Sequence, residues 1–255
     1  MQTLFIGQNL VRLASVDSTN NYALQLLKDT QVMEGTLIWA LEQTKGRGQR
    51  ENNWLAEPFQ NLTMSIILYP DLTVRRQFYL TKVIALGLET FVSELIGKKD
   101  AGSDIKIKWP NDIYVSDKKI AGVLIENNLR AEQIFSSVIG IGLNVNQKKF
   151  NGLSNATSLQ ILSNTVFDLS DCLSRLCEHI EARYLQLKAN KMELLDSDYE
   201  ERLYKLGELG DYEKDGKRFG AILTGVNEQG KLLLKQENGE ISEYGFKEIT
   251  FCGNS

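Results

Sequence analysis

A proline inside strand-forming sequence constrains this chain most. Lys108-Trp109-Pro110-Asn111-Asp112 sets a cation, a large aromatic, a proline, an amide and a carboxylate in consecutive positions. Proline lacks a backbone donor and is poorly tolerated within a sheet. It also biases the residue before it toward an extended conformation. The pattern predicts a strand that ends at Trp109 and turns, presenting Asn111 and Asp112 at its mouth. An ordinary surface turn explains the pentapeptide equally well, because Pro-Asn-Asp is good turn chemistry.

Other segments build a frame around it. Ser18-Thr19-Asn20 leads into Tyr22, Ala23, Leu26 and Leu27, predicting an amphipathic helix whose first turn donates to a capping hydroxyl. Strands are expected over 35–41 and 62–69. Between residues 76 and 96 the apolar positions Leu80, Val83, Ile84, Leu88, Phe91, Val92 and Leu95 recur at three and four, predicting a buried-face helix that ends at Gly97. Strands follow at 105–109, 112–116, 119–126 and 133–141. One helix is expected over 169–195 and a short one near 198–206. After Gly207, glycines punctuate short apolar runs such as Ala221-Ile222-Leu223, the texture of small antiparallel strands. The expected architecture is an α+β unit over 1–206, with a mixed or antiparallel central sheet flanked by helices, and a small SH3-like β-barrel over 207–255.

Composition excludes more than it identifies. The net charge of −4 over 255 residues gives no global attraction to nucleic acid or an anionic membrane. Any anion site must therefore be a local cluster. No run approaches the roughly 18 apolar residues of a membrane helix, and no secretory leader is visible at Met1. The cysteines Cys172, Cys177 and Cys252 form no CxxC pair and, with the single His179, make a poor metal set. Cys177 falls on an apolar helical stripe, which reads as a buried thiol. A Ser-His-Asp or Cys-His mechanism would have to use His179, beside that stripe. These features favour a reducing cytoplasm.

Two further segments could carry chemistry. In Gln43-Thr44-Lys45-Gly46-Arg47-Gly48-Gln49-Arg50, glycines let backbone N–H groups face an anion, and Arg47 could fork two phosphate oxygens. The segment is neither a P-loop nor GxGxxG, and a plain basic loop is the alternative. Gly140-Ile141-Gly142-Leu143-Asn144 ends a strand with small residues that would admit a ligand close to the backbone; a bulge explains it as well.

Taken together and in order, these segments resemble the biotin protein ligases. That family carries a Ser-Thr-Asn helix start, a Gly-Arg-Gly loop closed by tryptophan, a Lys-Trp-Pro-Asn-Asp strand end, a Lys-x-x-Gly strand, here Lys119 to Gly122, and Gly-x-Gly-(Ile/Leu)-Asn. The resemblance implies that Ser18, Thr19 and Gln43 would bind the ureido ring of biotin, with Asn20 beside them. Gly46, Arg47, Gly48 and Gln49 would close over the carboxylate and α-phosphate, with Trp54 at the loop's end. Asn111 and Asp112 would face the reacting centre. Lys119 would bind carboxylate and phosphate oxygens, and Gly122 and Asn144 would line the floor and the adenylate side. Gln49 stands where the family has a second arginine, and Glu51 and Asn52 replace glycine and arginine; Arg50 offers a cation one position along.

The implied reaction joins biotin to ATP, with Mg²⁺, as biotinyl-5′-AMP, then transfers the acyl group to a lysine of a biotin carboxyl carrier domain. Catalysis would rest on Lys119, Arg47 and Asp112. Asp112 would accept or orient the lysine proton, or else only tie its turn together. A lipoate or octanoate ligase or transferase, or a non-catalytic acyl-adenylate binder, are the alternatives. Only 17 residues precede Ser18, too few for a helix-turn-helix. No nucleic-acid or membrane partner is expected, and a monomer or a homodimer paired at a sheet edge is.

Overall fold

The fold is described from a computed structural model over residues 1–49, 52–97 and 104–252. Seven strands form a mixed sheet: β1 (Leu10–Leu13), β2 (Leu37–Ala40), β3 (Leu62–Leu68), β4 (Ile105–Lys108), β5 (Asp112–Val115), β6 (Lys118–Arg130) and β7 (Gln133–Leu143). Their spatial order is β1-β2-β3-β7-β6-β5-β4. Only the β1–β2 pair is parallel; the remaining neighbours are antiparallel.

Both faces of the sheet are covered. α1 (Thr19–Asp29) lays Ala23 against Ile38, Ile67 and Val138 in a small cluster on one face. The larger core lies opposite. There α2 (Phe78–Ile96) buries Leu80, Val83, Ile84, Leu88, Phe91 and Val92 between the sheet and α4 (Leu169–Lys188). Every residue of β3 is buried: Leu62, Met64, Ile66 and Leu68 face the larger core, and the polar Thr63 and Ser65 lie on the other face. Each fully buried Leu, Ile or Phe contributes about 1.5–3 kcal/mol. The helix stops at Gly97, whose positive φ of 75° a side chain would resist.

Several elements differ from the sequence expectation. The helix expected over 169–195 ends at Lys188, because Asn190 turns left-handed at φ 56° and the Lys191 N–H returns to the Gln186 carbonyl at 3.0 Å. Asparagine tolerates that conformation better than most residues. The next helix, α5 (Met192–Glu201), therefore begins well before 198. A short α3 (Leu159–Ser163) and strand β1 carried no periodic signal. β4 ends at Lys108 rather than Trp109.

The C-terminal strands β8 (Leu209–Lys214), β9 (Lys217–Val226), β10 (Leu232–Lys235), β11 (Ile241–Tyr244) and β12 (Thr250–Phe251) form an antiparallel sheet in the order β11-β10-β9-β8-β12. The expected barrel is not closed, since β11 and β12 are not paired among the described residues. The two-residue β12 offers little edge to pair with. This sheet is fixed to the larger one by Trp109, whose Nε1 donates to the Gly230 carbonyl at 2.9 Å and whose ring meets Phe246 edge-on.

Candidate active site

Register, more than any single side chain, carves the cleft. Thr63 on β3, Gly142 on β7, Gly122 on β6 and Asp112 on β5 stand opposite one another in a single cross-strand row. The next row holds Ser65, Gly140 and Leu124. Partners directly opposite share a face of the sheet. Glycines at the centre of both rows remove side chains from that face and leave a trough. Incoming groups fill the space: a Cβ on Gly142 would meet the Trp54 indole, and one on Gly140 would meet the Asn20 amide.

The resulting cavity, about 260 Å³, is lined by Ser18, Thr19, Asn20, Gln43, Arg47, Gly48, Gln49, Trp54, Asn111, Asp112, Lys119 and Gly122. The structure thus gathers residues from four separated segments. Met64, Asn52, Val123, Ile141, Pro110 and Phe246 line it too and were not among the expected site residues; Phe246 comes from the C-terminal sheet, which no local motif could reveal. Gly140 and Gly142 were visible as a Gly-x-Gly but only the register assigns them to the floor.

Two expected site residues stand outside the lining. Gly46 lies behind the loop, where a Cβ would strike the Trp54 carbonyl, and its own carbonyl accepts from Trp54 N–H at 2.9 Å. Asn144 is buried behind the floor. Its Nδ2 donates to the Thr157 carbonyl at 2.9 Å, and the Thr157 N–H donates to the Lys119 carbonyl at 2.9 Å. The Lys119 N–H donates to the Asn155 carbonyl at 2.7 Å. Asn144 therefore acts through the backbone that sets Lys119.

The start of α1 differs from expectation. Ser18 makes no side-chain cap bond. Instead Gln43 Oε1 accepts from the Thr19 N–H at 2.7 Å and from Thr19 Oγ1 at 3.0 Å. A residue from the loop after β2 thus takes over the cap, and Ser18 lines the cleft.

The loop following Gln43 is a small hairpin. Gly48 N–H donates to the Asn52 carbonyl at 2.8 Å, and Arg47 bridges to Asn53. Arg50 and Glu51 lie outside the described residues. Arg47 forks the Glu126 carboxylate at 2.8 and 3.0 Å. Gln49 Oε1 and Trp54 Nε1 are buried without a hydrogen-bond partner among the described residues.

At the other end, the Trp109–Pro110 peptide is cis. Asn111 Nδ2 donates to the Val123 carbonyl, and the Val123 N–H returns to the Asn111 carbonyl at 3.1 Å, clamping the turn to β6. Lys119 Nζ lies 2.7 Å from Asp112 Oδ1 and 5.7 Å from the Trp54 ring. Burial pushes the Asp112 carboxyl above its ordinary value, against the pull of the Lys119 and Lys108 ammonium groups. Burial also lowers the Lys108 ammonium, which stacks 4.6 Å over Tyr114. Cys172 and Cys177 are poor nucleophiles: burial pushes their thiols up to about 12. His179 is engaged with Glu94 at 2.5 Å, away from the cleft.

Comparison with known proteins agrees with this geometry. A family model described as the Biotin/lipoate A/B protein ligase family matches residues 13–144. The bifunctional ligase/repressor BirA of Bacillus subtilis is 29% identical over 244 residues, covering 94% of this chain and 73% of that protein. The biotin–[acetyl-CoA-carboxylase] ligase of Mycobacterium tuberculosis is 30% identical over 223 residues, covering 87% and 81%. Among solved structures, the biotin protein ligase from Aquifex aeolicus in complex with biotin and ATP superposes with a TM-score of 0.74 at 30% identity, covering 96% of this chain and 98% of that one. With more than half its length matched by the family model, and with that fold and that cleft, the chain belongs to the biotin/lipoate A/B protein ligase family.

Proposed function

We propose that this chain is an ATP-dependent ligase that activates biotin as biotinyl-5′-AMP and passes it to a lysine of a biotin carboxyl carrier domain. The observation that carries the reading is the polarity of the cleft. Hydrogen-bonding groups from Ser18, Thr19 and Gln43, apolar surface from Trp54 and Leu124, and the Lys119 cation line one cleft. That set of environments suits a cyclic urea, a short acyl chain and a carboxylate. The solved relative bound to biotin and ATP supports the same substrates.

In the first step two anions must meet. Lys119 and Arg47 would offset their repulsion and stabilise charge on the α-phosphate. Gly48 and Gln49 would close over it, and Trp54 would pack beside the adenylate. No three His, Cys, Asp or Glu side chains gather as a metal site among the described residues. A Mg²⁺ would therefore ride on phosphate oxygens and water.

In the second step the incoming lysine must lose a proton, which costs about 4.6 kcal/mol at pH 7 for an unperturbed amine. Asp112 is the acceptor or orienting group, since its buried carboxylate has a raised affinity for protons. Asn111 would position it by fixing the turn.

We assign the catalytic unit to 1–206 and a separate SH3-like unit to 207–255. The site would work in the cytoplasm; no helix among the described residues is long and apolar enough to cross a membrane. The protein would act as a monomer or as a homodimer paired at the open edge of β1.

One assay tests the reading: labelled biotin, ATP, Mg²⁺ and a carboxylase carrier domain. Transfer that requires ATP and the carrier lysine is expected. Transfer of lipoate or octanoate instead of biotin, or tight binding with no transfer, would replace it.

A further inference from the structure

Glu126 lines no part of the cleft, yet its carboxylate holds the cleft's loop cation. Arg47 Nη2 lies 2.8 Å from Oε1 and Nη1 3.0 Å from Oε2. Asn20 Nδ2 donates to Oε2 at 2.8 Å. From there the bonds run inward. Ser65 Oγ lies 2.6 Å from Asn20 Oδ1 and 2.8 Å from Thr19 Oγ1, and Thr19 bonds Gln43 Oε1. Thr19, Asn20 and Ser65 are buried. A continuous polar chain thus joins the hydrogen-bonding end of the cleft to Arg47.

The geometry at Glu126 is that of a bound anion. A carboxylate forked by a guanidinium presents the two oxygens that a substrate carboxylate or phosphate would present. Resting on the ligase reading above, we propose that Glu126 is a positioning residue: it holds Arg47 beside the cleft in place of the substrate's anion and yields it when the acyl-adenylate arrives. The energetics fit a placeholder. The two side chains retain 40% and 26% exposure, and pairs so open to water are weak. Such a bond keeps the hairpin ordered, but a desolvated phosphate bound to the same fork displaces it.

Hydrogen exchange at the Gly48 and Trp54 amides tests this, since both are bonded across the hairpin. In ligand-free protein, Glu126→Gln should speed their exchange about two- to fivefold. Amides of α2 should be unchanged, which verifies the fold. Arg47→Gln should match that effect, and the double variant should add nothing to it. With saturating biotinyl-5′-AMP, wild type and Glu126→Gln should become equally protected, because Arg47 has moved to the ligand. Two results overturn the placeholder: no change in the ligand-free variant, or a difference that persists with the adenylate bound, which marks a permanent strut. Wild type left unprotected by biotinyl-5′-AMP would instead count against the ligase reading, with the ligand-free arm still deciding whether Glu126 holds the loop.

Discussion

Lys119 Nζ and Asp112 Oδ1 lie 2.7 Å apart on the cleft floor, so the ammonium and the carboxylate each offset the other's charge. A substrate anion that draws Lys119 away leaves Asp112 buried with a weaker cationic neighbour. Its affinity for a proton then rises further, at the stage when a lysine must be deprotonated.

Lys119→Ala should reduce biotin-dependent ATP–pyrophosphate exchange by about a hundredfold or more, the loss typical of removing a preorganised charge from a developing anion. Exchange at the wild-type rate would refute the assignment.

Asp112→Asn keeps the shape and removes the base. Transfer from preformed biotinyl-5′-AMP to the carrier lysine should slow more than adenylate formation does. Rapid-quench kinetics separate the two steps, and equal slowing would reduce Asp112 to a positioning role.

Gly142→Ala places a methyl group where the Trp54 indole lies. Overpacking costs about 1–3 kcal/mol, and the indole can relieve it only by moving into the cleft. Adenylate affinity should fall about tenfold, with a shift in tryptophan emission and little change in the unfolding midpoint. An unaltered Kd would show that the indole does not define the site.

Glu34 ties the sheet to α4. It accepts from the Tyr69 N–H at 3.0 Å, the Tyr184 hydroxyl at 2.7 Å and Lys188 Nζ at 2.7 Å. Burial alone would raise its pKa, but Lys188, Tyr184 and the Tyr69 amide outweigh burial and hold the carboxyl below its ordinary value. A lowered pKa stabilises the fold above the unfolded value and ceases to do so as pH falls through the folded one. Glu34→Gln should therefore lose about 1–2 kcal/mol in urea unfolding near neutral pH. The gap from wild type should close as pH drops below the ordinary carboxylate range. A gap independent of pH would assign the loss to packing.

Gln49, whose buried amide oxygen has no hydrogen-bond partner among the described residues, stands where the sequence resemblance leads us to expect arginine. Gln49→Arg should tighten biotinyl-5′-AMP by isothermal titration, because a second guanidinium faces the phosphate. No change would indicate that the position lies beyond reach of the ligand.

The sequence by itself determined the parts whose signal is local. The three- and four-residue spacing marked α2, the short segment at 62–68 rich in Leu, Ile and Met marked β3, and the proline after Trp109 ended β4 near its observed limit. Arg47 and Asp112 stood out because each sits in a segment too polar, or too rich in glycine, for a core, whereas Ser18, Thr19, Gln43 and Lys119 were singled out by the resemblance to the biotin protein ligases. Tertiary structure decided how they meet. Gly122 and Gly142 form a floor only because three antiparallel pairings bring them into register with Thr63 and Asp112. Asn144 moved from the cleft to the backbone support of Lys119, and Gln43 took the cap that Ser18 was expected to make. The reach of Arg47 to Glu126 spans 79 positions. Hydrogen bonds and ion pairs between distant segments carry no periodicity in sequence; they exist only after burial has fixed which backbones lie side by side.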